Sequence, residues 1–266
     1  GPTGLHEWAW VRFGLDFHDL LDETRAAPFW QAVRALSTIA KAEANAYAAE
    51  TGTARPVTVT TVKPAGTTSK LFGLTEGAHL PARRQYLRWV QFKGTRGADG
   101  IWETGSDPLL ADYASRGYPV RGLRSFPGMS IVGFPTVPLI QRLGMGECVV
   151  TAPEATPAEQ YRWLELLEKY WIGAEQGNQV SYTLKIYTDR QDLAGFRGMV
   201  AANQPNVRCC AVLPSRPDSD LGYEYLPEEE VPAGRFAAIA AGIHDEDARE
   251  VVDWAHLQCA SGACPI

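Results

Sequence analysis

Apolar stripes of helical period alternate along this chain with short β-branched runs, and few folds tolerate that alternation. Residues 28–50 read as a helix. Pro28 suits its first turn, alanine is abundant, and Phe29, Val33, Leu36, Ala40, Ala44 and Tyr47 share one apolar stripe. Gly52 is its predicted stop. Residues 57–63, VTVTTVK, are β-branched almost throughout and end at Pro64, which predicts a strand. Residues 86–92 and 129–137 predict two more, with Gly133 and Pro135 bending the second near its end. Asp107-Pro108 is an N-cap followed by proline at the first helical position, and Gly117 is the stop. Thr156-Pro157-Ala158-Glu159 is a capping box. The helix it opens runs to about Ile172, turning Trp163, Leu166, Leu167, Tyr170 and Trp171 inward, and Gly177 ends that region. Residues 179–187, QVSYTLKIY, read as a strand, and Asp189 as the cap of a helix to about Val200. Helices alternating with strands imply an α/β fold with a largely parallel sheet or barrel. From about Pro214 proline and acidic residues rise and the periodicity weakens, which reads as an extension or tail. Residues 245–256 are expected to form a short helix within it.

The 266 residues suffice to bury a sizeable core. A net charge of −6 argues against a general nucleic-acid or membrane binder, whose surface is basic, but not against one anionic ligand in a local pocket. The apolar run Phe236–Ile243 is too short to span a bilayer, and no secretory signal opens the chain. Gly1-Pro2 in place of Met fits a tag remnant or the cut end of a longer chain. Five cysteines without framework spacing point to a reducing cytoplasm.

The segment 60–70, TTVKPAGTTSK, holds the most specific local chemistry. A strand ends at Lys63, Pro64 and Gly66 force a tight turn, and Thr67, Thr68 and Ser69 begin a short helix. A helix start leaves backbone N–H groups unpaired and carries the positive end of the dipole. Those amides and three hydroxyls converge as they do around a bound phosphate, and Gly66 lets a ligand approach the backbone. An ordinary capped turn is the competing reading, since Ser and Thr are common at helix starts. The segment is not a Walker motif.

The chain closes on CASGACPI, which spaces Cys259 and Cys264 as C-x4-C. A zinc half-site would need two more soft ligands, with His256 or Cys209-Cys210 as candidates. A static disulfide would close a tiny loop for little entropic gain. A dithiol shuttle fits better, because Ser261 and Gly262 let the sulfurs meet and thiolate exchange carries electrons. Cys148, Cys209 and Cys210 sit among apolar neighbours and are expected to be buried and inert. His6 is expected to pack rather than react. His79 draws more interest, because it follows the phosphate-like loop and precedes Arg83 and Arg84.

Together GLHEW, TVKPAGTTSKLFG, GAHLPARRQYLRWVQF, IVGFPTV, GNQVSYTLKIY and the terminal CASGACPI resemble adenosylcobalamin-dependent (class II) ribonucleotide reductases, most closely the ribonucleoside-triphosphate type. The stretches follow the family's order and cover most of the chain. The resemblance implies the C-terminal part of a ten-stranded α/β barrel over 1–213, with an extension and redox-active tail over 214–266. It implies that Pro64, Ala65, Gly66, Thr67, Thr68 and Ser69 cradle the phosphates of a ribonucleoside triphosphate. It implies that Cys259 and Cys264 are the dithiol that re-reduces an active-site disulfide and is itself reduced by thioredoxin. The cofactor implied is adenosylcobalamin, with no contacts located, and no metal site is expected. The family's radical-bearing cysteine lies in an Asn-Pro-Cys-Gly-Glu type motif on a finger loop, and this sequence has no such motif. Both cysteines of the active-site reducing pair and the effector-binding region are also without counterparts. The chain is therefore expected to be roughly the C-terminal third of such an enzyme, inactive alone and completed by an N-terminal segment. A split gene, an intein or truncation would each produce that state. A non-catalytic nucleotide-binding module and a zinc-binding tail are the alternatives.

Overall fold

The structure is a computed structural model that describes residues 1–188, 191–216 and 220–244. Among the described residues two compact units are formed, each from two stretches of chain: 1–84 with residues between 138 and 220, and 85–137 with 221–244.

The first unit holds helices α1 (Leu5–Phe13), α2 (Phe17–Leu21), α3 (Ala27–Glu50), α4 (Gly66–Phe72), α6 (Pro157–Leu167) and α7 (Leu193–Asn203). Its strands are β1 (Thr60–Val62), β5 (Gly177–Val180), β6 (Thr183–Tyr187) and β7 (Ala211–Ser215). They form two parallel pairs, β1 with β5 and β6 with β7, as the alternation predicts. The predicted strand 179–187 is in fact two strands. Ser181 and Tyr182 break it, and each half takes a different partner. The predicted strand 57–63 shortens to β1, with Val57 87% exposed.

Helix α3 keeps its predicted limits, but its buried stripe runs differently. Phe29, Trp30, Val33, Ser37 and Ala48 face inward, while Leu36 and Tyr47 face out. The cause is polar. The Ser37 hydroxyl donates to the carbonyl of Trp171 at 2.6 Å, and the Lys41 ammonium donates to that of Ile172 at 2.7 Å. These carbonyls end the π-helical turn Glu168–Ile172 that extends α6, and a buried helix end must find donors. Gly173, not Gly177, stops that helix, with φ +69°. The capping box forms as predicted, Thr156 and Glu159 bonding each other's backbone amides. Trp163 is fully buried and donates its indole N–H to the carbonyl of Ala78 at 2.8 Å. Asp189 lies outside the described residues; Asp192 caps α7, accepting from the amides of Ala194 and Gly195.

The second unit is a four-stranded antiparallel sheet in the order β3-β4-β2-β8, a departure from the parallel expectation. The strands are β2 (Tyr86–Lys93), β3 (Val120–Gly122), β4 (Met129–Thr136) and β8 (Glu228–Glu230). Alternation along β2 and β4 feeds two cores. Leu87, Trp89 and Ile131 pack with Phe236 and Ile239 of α8 (Ala233–Ala241). Phe92, Val132 and Phe134 pack with Leu110 and Tyr113 of α5 (Pro108–Ser115). Gly133 makes room rather than a bend: a Cβ there would lie 2.9 Å from the Trp89 ring. Residues beyond Pro214 contribute β8 and α8 to this unit. Among the described residues no helix is long and apolar enough to cross a membrane.

Candidate functional site

The loop between β1 and α4 is built by three residues with different backbone demands. Lys63 precedes a proline and so stays out of the helical region. Pro64 ends the strand. Ala65, the N-cap of α4, is left-handed at φ +54° and ψ +33°, and Gly66 is already helical. The strained residue is thus Ala65, not the glycine that the sequence singles out; a side chain held there costs about 1 kcal/mol. No side chain caps the helix start. The amides of Gly66, Thr67 and Thr68 belong to the first turn, where a helix offers no acceptor.

The hydroxyls divide. Thr67 and Thr68 are exposed beside those amides. Ser69 is fully buried and donates its hydroxyl to the carbonyl of Ala65 at 2.8 Å. Ser69 therefore shapes the turn from beneath. Lys63 is exposed next to the loop. Lys70 pairs with Glu76 at 2.9 Å, and Glu76 lies close to Gly66, its Oε2 3.7 Å from where a Cβ would stand. The approach of Gly77 fixes the other side. Its φ is +56°, and a Cβ there would lie 2.1 Å from the carbonyl oxygen of Lys63.

His6 is buried in the aromatic core, 5.0 Å from the Trp163 ring, and desolvation pushes its pKa down to about 4. Its Nε2 has no partner among the described residues. It lines a cavity of about 10 Å3, room for one water. His79 stacks on Tyr182 at 4.8 Å; its Nδ1 meets the carbonyl of Glu76 at 3.0 Å, and its Nε2 accepts from the amide of Thr183 at 3.0 Å. Burial holds its pKa below the ordinary value. Both ring nitrogens are occupied in tying the return from α4 to β6, so His79 is a strut rather than a ligand group. Arg84 is committed to Glu154 at 3.0 Å and to the carbonyl of Glu147 at 3.2 Å. Gln160, fully buried, was missed in the sequence. Its amide donates to the carbonyls of Ala155 and Lys185, and its oxygen accepts from the Lys185 amide. A lone Gln on a helix carries no signal of such a role.

Cys148 is exposed, which corrects the expected burial: it ends a short 3-10 turn, and Val149 takes the inward place. Cys209 and Cys210 are half-buried free thiols, and burial pushes the Cys210 thiol up to about 11. That suits an inert pair. Cys259, Cys264 and the predicted helix before them lie outside the described residues. Among the described residues no group of three or more His, Cys, Asp or Glu is placed to hold a metal ion.

No family model matches the chain. Curated relatives do. An adenosylcobalamin-dependent ribonucleoside-triphosphate reductase of Levilactobacillus brevis is 28% identical over 78% of this chain and 26% of its own length. The enzyme of the same name from Lactobacillus leichmannii is 24% identical over 99% of this chain and 36% of its own length. This chain is a homologue of the adenosylcobalamin-dependent ribonucleoside-triphosphate reductases. It spans about a quarter to a third of the length of those relatives. A crystal structure of a B12-dependent (class II) ribonucleotide reductase superposes with a TM-score of 0.71 over 91% of this chain and 32% of that one, at 20% identity. The mixed α/β fold is thus that of part of a class II reductase.

The reductases' names include a cobalamin. A cofactor of that size needs a wide and largely apolar wall. The groove of about 610 Å3 in the first unit is instead lined by Arg162, Glu168, Lys169 and Arg208. These side chains are joined in ion pairs, Arg162 and Lys169 to Glu23 and Arg208 to Glu168. That lining does not fit a corrin, and no described residue is assigned to one.

Proposed function

We propose that this chain supplies the C-terminal part of a ribonucleoside-triphosphate reductase: residues 1–213 as part of its barrel, 214–266 as an extension carrying the redox pair. The radical cysteine and finger loop come from chain outside this sequence. Pro64, Ala65, Gly66, Thr67, Thr68 and Ser69 cradle the substrate's phosphates. Within that set the first-turn amides and the Thr67 and Thr68 hydroxyls donate to phosphate oxygens, Lys63 adds positive charge, and Pro64, Ala65 and Ser69 hold the turn's shape. The observation that carries this reading is that uncapped helix start with two exposed hydroxyls, in a chain homologous to reductases over most of its length.

Reduction of a ribonucleotide consumes a dithiol and yields the 2′-deoxyribonucleotide, a disulfide and water. Cys259 and Cys264 return the active-site pair to its dithiol form. A thiolate of the pair attacks the active-site disulfide, its neighbour resolves the mixed disulfide, and two protons pass to the released sulfurs. The new disulfide is then reduced by thioredoxin. The radical chemistry would be supplied by adenosylcobalamin in the complete enzyme, and no described residue is assigned to hold it.

The two parallel strand pairs of the first unit support the need for a completing segment. Two-stranded sheets are marginal alone, and open edges invite pairing. Mixing this chain with a matching N-terminal segment, adenosylcobalamin, thioredoxin and a ribonucleoside triphosphate should yield deoxynucleotide, while the chain alone yields none. Absence of both turnover and complex formation would overturn the proposal.

A further inference from the structure

Glu7 belongs to the GLHEW stretch, which neither the loop nor the redox pair uses. Its side chain is buried, with the residue 4% exposed, yet it carries a carboxylate. Burying a charge is costly unless hydrogen bonds replace its water. Both oxygens are satisfied by one residue: Oε1 accepts from the Thr75 amide at 2.8 Å and Oε2 from the Thr75 hydroxyl at 2.7 Å. The carbonyl of Thr75 accepts in turn from the Thr3 hydroxyl at 2.8 Å and the Gly4 amide at 3.3 Å. Thr3 also accepts from the amide of Gly77 at 3.2 Å.

These bonds fix the segment that returns along α4. The Leu74 amide donates to the carbonyl of Ser69 at 2.9 Å, holding one end of that segment against the helix. Gly77, at the other end, packs its backbone on Lys63 and Pro64. The loop at Pro64–Ser69 is thus gripped at entry and exit by residues 74–77, and that segment is gripped by Glu7.

We infer that Glu7 is a positioning residue for the loop at Pro64–Ser69, acting through Thr75 and Gly77; the inference rests on the reading of that loop as a phosphate cradle. Charge-assisted hydrogen bonds are the strong ones. The carboxylate accepts from both Thr75 donors, whereas a glutamine there accepts from the amide and meets the hydroxyl only by donating its NH2, a neutral bond in place of a charge-assisted one.

The test uses the 266-residue chain, sodium tripolyphosphate as probe, calorimetry for affinity, and 15N–1H spectra for the amides of Gly66–Thr68. Wild type should bind, with those amides moving on titration. Glu7→Gln and Thr75→Val should each weaken binding about tenfold, a loss equal to about 1.4 kcal/mol, and should shift the three amides in the free protein while melting cooperatively. Thr75→Ser, which keeps the hydroxyl, should bind as wild type does. If Glu7→Gln does not fold, Thr75→Val against Thr75→Ser decides. Folded Glu7→Gln or Thr75→Val binding at wild-type strength overturns the inference and leaves the phosphate reading standing. So does equal loss in Thr75→Ser and Thr75→Val, because the hydroxyl is then not what matters. No binding by wild type removes the phosphate reading itself, and the inference falls with it.

Discussion

Ser69 donates its hydroxyl to the carbonyl of Ala65 across the first turn of α4, and this one bond sets the buried hydroxyl apart from the two exposed ones in a run of three. Its donor is spent on the carbonyl of a left-handed, strained residue. Ser69→Ala should therefore destabilise the chain by roughly 0.5–1.5 kcal/mol, the net worth of one hydrogen bond, since the Ala65 carbonyl keeps the Ser69 amide at 2.8 Å. It should change tripolyphosphate affinity less than Thr67→Val or Thr68→Val do. Those two should leave stability within about 0.5 kcal/mol, because exposed sites tolerate change, and weaken binding several-fold. Urea unfolding and calorimetry on the three variants check both halves.

Gly77 tests how tightly the loop is held. A Cβ at this position meets the Lys63 carbonyl oxygen at 2.1 Å, and the backbone is left-handed besides. The neighbour is backbone, so no side-chain rotation relieves the clash. Gly77→Ala should cost more than about 2 kcal/mol, above the usual loss for alanine in a left-handed position alone. Gly52→Ala is the control. It shares a positive φ of +65° but meets nothing within 4 Å, so only the conformational cost applies. Equal urea midpoints for the two variants would contradict the close approach.

Several features set by neighbouring residues are legible in the sequence, while those set by distant partners are not. Thr156–Glu159, Asp107-Pro108 and the strand-to-helix turn at Pro64 follow from chemistry within four residues, and each stands where the sequence puts it. The inward phase of α3 departs from the apolar stripe at Ser37, because the carbonyl that draws it in belongs to Trp171, 134 positions on. The break at Ser181–Tyr182 is invisible in an unbroken β-like run, since it arises when β5 and β6 choose different neighbours. Ala65 escaped because left-handed alanine is rare and Gly66 beside it was the better guess on propensity. Glu7 carries no sequence signal of burial or of a partner. Its role depends on Thr75, 68 residues away.

Acid should weaken the first unit before it touches most carboxylates. His6 is held neutral by burial, its pKa near 4 against 6.5 in an unfolded chain, and His79 is shifted in the same direction. Between those values the unfolded chain binds protons that the folded chain refuses, so stability falls as pH falls. The contribution of His6 is complete above about pH 6.5 and gone below about pH 4. A shift of this size corresponds to roughly 3 kcal/mol. Urea midpoints measured from pH 7.5 to 4.5 should drop steadily, and His6→Phe, which packs against Trp163 without titrating, should flatten most of that slope if it folds. A slope unchanged in His6→Phe would place the titrating group elsewhere.

The cysteine pair makes the sharpest functional demand. If Cys259 and Cys264 carry electrons, their thiols should be protected from alkylation in oxidised protein and released by thioredoxin with its reductase, while Cys148, already exposed, labels throughout. Cys210, whose thiol is pushed up to about 11, should label slowly at neutral pH in either state. Cys259→Ser and Cys264→Ser should each abolish the thioredoxin-dependent change, because exchange needs both an attacking and a resolving sulfur. In the complemented enzyme the same variants should stop after about one turnover per site with thioredoxin. They should regain multiple turnovers with a small dithiol that reaches the active-site disulfide directly. Full thioredoxin-driven turnover in either serine variant would remove the pair from the electron path and leave the chain with nucleotide binding alone.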